Sequence, residues 1–379
     1  MRKFLLLVFI VPGLLFLTSC WDYIEIERSA FILGIGLDKE GDQILVTYQI
    51  AQPNAYGREG GGDVEGFVNI NITAEDISEA NIKLLNQIDL SPSFEHCQVL
   101  LIGEDLARSG LKKNLDFFIR DAKVRKRMLA AVVQGKAKEV LDVKVKTAKS
   151  PSLYISTILN ESSRTSFAIT SFVDVGHIFD NLVRNSDLVL PKIIPLKERI
   201  VVEGGAAFIA LSEGGMRMVD WLSVAEIEGI KFLSESAISG RLLAKLPEEM
   251  GGNIDLLVFN VSTSLVPEFR DGALIAKSKV HLEGDINRME RLLHLPKNPE
   301  EISALEKALE KYISRRIDEV FTKVRDELGV EVFEFDRKVS SYYPKYWEKN
   351  KDNWHEIFKT VKLETDVDVK IRRVGEVTR

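Results

Sequence analysis

Two cysteines, Cys20 and Cys97, and five histidines, His96, His177, His281, His294 and His355, hold most of the reactive side-chain chemistry open to this chain of 379 residues. Cys20 is the one set in a reactive context. It follows Leu17-Thr18-Ser19 at the end of an apolar run of 14, residues 4–17, which Arg2-Lys3 precede. A short positive segment, an apolar stretch and small residues before a cut describe a secretion signal. The run is too short to span a bilayer, which takes about 20 apolar residues. Leu17-Thr18-Ser19-Cys20 resembles the lipobox of bacterial lipoproteins, in which the cysteine thiolate is the nucleophile that accepts a diacylglyceryl group. Residues 1–19 are therefore expected to be a signal peptide and Cys20 the mature N-terminus. Two acyl chains there suffice to hold a protein at the outer face of a membrane without a basic patch.

The remaining candidates for chemistry fail on spacing. His96 and Cys97 are adjacent, so on a strand they face opposite ways, and Cys97 reads as a small buried hydrophobe. Gly34-Ile35-Gly36 lacks the third glycine of a dinucleotide fingerprint, and Gly60-Gly61-Gly62 has no Gly-Lys-Ser/Thr behind it. Ser109-Gly110-Leu111-Lys112 matches Ser-x-x-Lys, but the companion boxes of penicillin-binding enzymes are missing. Glu248-Glu249 and Glu300-Glu301 read as solvated surface. No His/Cys spacing fits a structural zinc site. The expectation is a non-enzymatic protein with no metal and no cofactor beyond the covalent lipid on Cys20. One segment invites a binding role: Tyr342-Tyr343-Pro344-Lys345-Tyr346-Trp347, with Trp354 beyond it. Rigid aromatics give large contact area at low entropic cost, so Tyr343, Trp347 and Trp354 are candidate partner-binding residues. The competing reading is a loop and short helix packed on the last strand.

These residues need elements to position them. Segments 30–38, 42–51 and 67–72 alternate or are β-branched and read as strands; 74–88 shows helical spacing at Ile77, Ile82, Leu85 and Ile88, with Thr73 as N-cap. Strand 96–103, helix 104–121 and strand 126–135 continue the alternation, which points to α/β units around a largely buried sheet. Prolines 151, 191 and 195 obscure the pattern from 145 to 195. Residues 251–266 and 273–286 read as long strands. Residues 299–328 carry one apolar stripe, from Ile302 through Leu305, Leu309, Ile313, Ile317, Val320 and Val324 to Leu328, with Glu306 and Glu310 on the opposite face. Residues 362–373 alternate as a half-exposed strand. The formal net charge is -6, and loss of Arg2 and Lys3 with the signal makes it -8. That balance excludes nucleic acid, whose phosphates call for clustered Lys and Arg, and it argues against charge-driven adhesion to anionic lipid.

The series of motifs resembles the Ger(x)C family, the lipoprotein C subunits of spore nutrient germinant receptors. It begins with the lipobox, Cys20-Trp21-Asp22, Glu25-Ile26-Glu27 and the strand ending Gly34-Ile35-Gly36-Leu37-Asp38. It continues through His96 with QVLLIGEDLARSGL, Arg120-Asp121, residues 132–141 and residues 203–233. It closes on Tyr343-Pro344-Lys345-Tyr346-Trp347, Trp354 and the strand 367–375. Two departures stand out: Tyr23-Ile24 where the family often has basic residues, and Asp336 where it often has glycine. The resemblance implies an α/β (α+β) ectodomain of three domains, each a sheet flanked by helices. The N-terminal region would run over 20–198 and the C-terminal region, with the long helix, over 199–379. It implies residence on the outer surface of the spore inner membrane and two membrane-embedded partners, one channel-like and one transporter-like. A substrate-binding lipoprotein serving a transporter is the rival, though no internal duplication into two similar lobes is evident. The residues do not name the nutrient. Replacing Cys20 is the direct check on the anchor: Cys20→Ala should leave an unprocessed precursor that no longer takes up radiolabelled palmitate, and persistent labelling would refute the assignment.

Overall fold

The structure is a computed structural model that describes residues 28–52, 66–120, 124–211, 215–234, 238–250, 252–290, 296 and 298–374. Cys20, the motifs around Trp21 and Glu25, the glycines at 60–62, Asp121 and His294 lie outside the described residues. The α/β class holds. Two sheets are found among the described residues, where three were expected.

The first sheet runs β10-β9-β8-β6-β5-β1-β2-β3, with β4 (Ser91–Ser93) added on β1 and β7 (Val173–Asp174) on β6. Its centre is the parallel set β1 (Ser29–Glu40), β5 (Val99–Gly103) and β6 (Leu129–Val133). β5 and β6 are buried at every residue, as expected of strands with helices on both faces. β2 (Gln43–Ala51) and β3 (Phe67–Ala74) extend it as an antiparallel meander. β8 (Leu188–Leu196), β9 (Arg199–Leu211) and β10 (Gly215–Leu222) join from the other side. β8 pairs in parallel with β6 and then turns back on β9, so the chain crosses residue 198 inside one hairpin and founds no new sheet there. Pro191 and Pro195 hid β8: proline cannot donate to a ladder and favours edges and bulges, and the β8–β9 register indeed slips between Pro191 and Ile193.

Two helical boundaries differ from expectation for local reasons. β3 stays paired with β2 as far as Ala74, so α1 starts late, at Ile77–Leu85, and Asp76 rather than Thr73 caps it by accepting from the Glu79 amide. Its buried face is Ile77, Ala80 and Leu84, while Ile82 and Leu85 face outward. The single helix expected over 104–121 is broken into α2 (Glu104–Ser109) and α3 (Lys112–Arg120) by Gly110, whose φ of 106° suits only glycine. On the other sheet face lie α4 (Ala137–Leu141) and α5 (Pro151–Thr157). α6 (Val175–Arg184) joins α1 and α3 on theirs.

The second sheet, β11-β12-β13-β14, is formed by β11 (Ile238–Lys245), β12 (Asn253–Arg270), β13 (Ala273–Met289) and β14 (Lys362–Val374). One face is covered by α7 (Val224–Ser234) and the long α8 (Pro299–Thr322), which a π-turn prolongs to Leu328. The predicted stripe is the buried one: Leu305, Leu309, Ile313, Ile317, Val320 and Val324 are each at most 3% exposed. Gly229 lets the two helices close, since a Cβ there would sit 2.4 Å from the Arg316 carbonyl oxygen. Val189, Ala207 and Leu222 of the first sheet share this core, so the two sheets are fused. Truncation of Leu309, fully buried, should cost about 2–5 kcal/mol; urea unfolding of Leu309→Ala should show the midpoint drop, whereas an unchanged midpoint would place the stripe elsewhere.

Candidate functional site: the aromatic segment and the joint beneath it

After α8 the chain forms α9 (Phe335–Tyr342), α10 (Pro344–Asn350) and α11 (Trp354–Phe358) before entering β14. Pro344 sits at the start of α10, where its missing amide costs nothing. The structure separates the three aromatic candidates. Trp354 is 6% exposed and belongs to the core; its indole stacks obliquely on Phe335 and meets Trp347 edge-on at 5.2 Å. Trp347 is half-buried and lines a groove of about 310 Å³ between α6 and α9–α10, opposite Arg184 and Asn185. Tyr343 is half-buried as well, its ring edge-on to Phe269 of β12 at 5.0 Å, with Tyr346 on the same phenylalanine at 4.8 Å. Trp347, Tyr343 and Phe269 thus offer aromatic surface; Trp354 supports them from below.

Beneath this segment lies a buried polar joint that periodicity could not reveal. Asp187, between α6 and β8, has a side chain 1% exposed. It accepts from the Ala210 amide at 2.7 Å, from the Glu331 amide at 2.8 Å and from His355 Nε2 at 3.0 Å. Glu331 in turn accepts from the Phe333 and Asp336 amides, and Asp336 accepts from Ser186 Oγ. Arg337 reaches Asn181 on α6. One carboxylate therefore fastens the first sheet to the segment that carries the aromatics. The Asp187 hydrogen bond raises the His355 pKa above 6.5, against the lowering effect of burial. Burial, reinforced by the Asp336 charge, raises Glu331 well above 4.5. Asp336, noted as a departure from the family's glycine, is a working member of this joint.

Elsewhere the suspected chemistry resolves into structure. Gly34 and Gly36 leave room for α5 and α4: a Cβ on Gly34 would strike Ser152, and one on Gly36 would press on Leu141. Asp38 caps α4, accepting from the Ala137 and Lys138 amides at 2.7 and 2.9 Å, and its burial raises its pKa. The Gly-x-Gly-x-Asp run is a packing and capping device. Ser109 Oγ donates to the Leu106 carbonyl, while Lys112 is exposed on the next helix. Cys97 is 3% exposed and burial pushes its thiol up to about 12, while His96 packs edge-on against Phe31. Sequence reading missed His281, whose first partner lies on another strand: Asp368 of β14 at 2.6 Å, with Glu283 of its own strand at 3.3 Å. Both ring nitrogens face carboxylates, chiefly Asp368, and its pKa is raised. Ser262 pairs with His281 across β12–β13, yet neither nitrogen is turned to serve it as a base.

The fold and site define a two-sheet α/β protein in which Asp187, Glu331 and Asp336 are committed to an internal joint. The family model described as "Spore germination protein N-terminal domain" matches residues 22–195, and that described as "Spore germination B3/GerAC like, C-terminal" matches 208–375. Relatives from Bacillus subtilis (strain 168) include spore germination protein KC, 26% identical over 99% of this chain and 96% of its own length. Spore germination protein B3 is 24% identical over 96% of each. The crystal structure of the GerBC protein superposes with a TM-score of 0.60 at 18% identity, covering 93% of this chain and all of that one, and shows the same fold. The chain belongs to the Ger(x)C family of spore germination proteins.

The joint has a pH signature. A histidine whose folded pKa lies above its unfolded 6.5 lends its full stability below pH 6.5 and loses it as pH rises through the folded value; the raised Glu331 carboxyl has the same sign from 4.5 upward. Stability should therefore fall as pH rises past 6.5, and His355→Gln should flatten that part of the decline. Urea midpoints measured across the range decide this; equal slopes in both proteins would remove His355 from the joint.

Proposed function

We propose that the chain is the lipid-anchored, non-catalytic C subunit of a spore nutrient germinant receptor. In this reading Cys20 bears the diacylglycerol and N-acyl lipid, the body stands on the outer face of the spore inner membrane, and its channel-like and transporter-like partners are membrane subunits of the same receptor. The observation that carries the reading is the ordered match of both halves of the family over nearly the whole chain. The commitment of Asp38, Asp187, Glu331 and His281 to internal bonds supports contacts over chemistry. Among the described residues, two sheets of ten and four strands in unlike order favour this reading over the paired lobes of a transporter's binding protein.

Within this function Trp347, with Tyr343 beside it, is the partner-facing aromatic, and Trp354 is its support. Co-purification from spore membranes with an affinity-tagged chain should recover the channel-like and transporter-like subunits. Trp347→Ala should weaken that recovery and nutrient-triggered germination while the melting temperature stays near wild type. Trp354→Ala should lower both together, because a buried tryptophan lost to alanine costs about 3–5 kcal/mol. Wild-type recovery and germination in Trp347→Ala would dismiss the aromatic surface, and recovery of neither membrane subunit with the wild-type chain would dismiss the receptor assignment.

A further inference from the structure

We propose that the end of the first sheet at which β1 begins is a membrane-facing surface, held against anionic phospholipid headgroups by two basic segments; this rests on the lipid anchor at Cys20 proposed above. Residue count sets the geometry. From Cys20 to Arg28, the first described residue, the chain reaches at most about 30 Å when fully extended. The start of β1 must therefore lie within that distance of the bilayer.

The topology decides which residues share this end. β1, β5 and β6 run parallel, so their starts point to the same end, β5 and β6 beginning level with Gly34, five residues into β1. The turn that delivers the chain into β6 is Arg125-Lys126-Arg127, all exposed. β3 runs in the same direction as β1, and its start is level with the end of β2. Gly66, just before β3, lies against Lys149, where a Cβ would be 2.6 Å from the lysine carbonyl oxygen. The segment between α4 and α5, with exposed Lys144, Lys146 and Lys149, is held at this end by Asn69, which donates to the Leu141 carbonyl and to Asp142. The two basic segments bracket the sheet, one arriving from the α3 face and the other from the α4–α5 face.

Acidic groups share the surface, Asp89, Glu95, Asp142 and Asp174 among them, Asp142 accepting from Asn69 and Asp174 bonded to His177, while Lys126 also donates to the Phe118 carbonyl. The opposite end of the sheet is mixed in sign: Glu40, Asp42, Glu75 and Glu104 lie there with Lys39, Lys112, Lys113 and Lys136. Attachment does not require the basic segments, since two acyl chains supply it. Their effect is orientation: they draw one end of the sheet to a negative surface, within a Debye length of about 10 Å at 0.1 M salt.

The test uses the processed, lipid-anchored full chain in phosphatidylcholine vesicles with or without phosphatidylglycerol, and nitroxide-headgroup lipid as quencher. One fluorophore is placed at Thr147→Cys, beside the basic segments, or at Asp42→Cys, at the far end; both positions are exposed. With phosphatidylglycerol present, quenching at position 147 should exceed that at position 42 several-fold, and high salt should shrink the contrast. Arg125→Glu/Arg127→Glu/Lys146→Glu should abolish the contrast while the vesicle-bound fraction is unchanged. Equal quenching at the two positions, or a contrast that survives charge reversal, would overturn the proposal and leave the anchor standing. Failure of the chain to remain on vesicles of either kind would overturn the anchor, and the proposal with it.

Discussion

The arrangement depends on a single buried carboxylate. Asp187 takes hydrogen bonds from a strand of the first sheet, from the chain just after the long helix, and from His355 near the last strand. A charge so enclosed is tolerated only when its acceptor capacity is filled, and here three distant stretches of sequence fill it. Their relative positions are thereby fixed together. Breaking one bond leaves the others to compensate for a buried charge, which is more costly than the bond itself. The fused hydrophobic core supplies most of the burial, but it is non-directional. Asp187 supplies the alignment, and it sets the aromatic segment upright on the second sheet.

A second polar device serves the helix pair over that sheet. Tyr312 of α8 donates to Glu228 of α7 at 3.0 Å, and Arg316 lies 3.5 Å from the same carboxylate. Beside them Gly229 removes the side chain that would hold the helices apart. Lys231, fully buried on α7, donates to the carbonyls of Ser163 and Ser166 and so ties this helix to the helical turns that follow α5. The same logic recurs across the molecule: apolar faces bring elements together, and a few enclosed polar groups choose the register.

Much of this was legible in the sequence where one period governed the burial. The stripe of α8 and the alternation of β14 each rest on a single apolar face, and the pattern places both to within a residue or two. The reading failed where tertiary pairing overrode local pattern. Ile82 and Leu85 keep helical spacing yet face outward, because the helix packs on the face formed by Ile77, Ala80 and Leu84. β8 was lost behind its prolines. Of the candidate site, sequence identified Tyr343, Trp347 and Trp354 as a group but could not rank them by exposure. Asp187, Glu331 and His355 left no local signal, since their partners lie far away in the chain.

Glu306 and Glu310, which the helical pattern assigned to solvent, have another use. Their carboxylates accept from the Ile371 and Val369 amides of β14, at 3.0 and 3.3 Å. β14 is an outermost strand of 13 residues, and such a strand normally presents a row of unused donors to any extended chain nearby. The glutamates occupy part of that row and place negative charge along it. A neighbouring copy that brought its own strand alongside would have to displace them and bury their charge. Crowding many copies into a small area, which would promote strand-to-strand growth in an unguarded sheet, is thereby made compatible with separate, folded molecules.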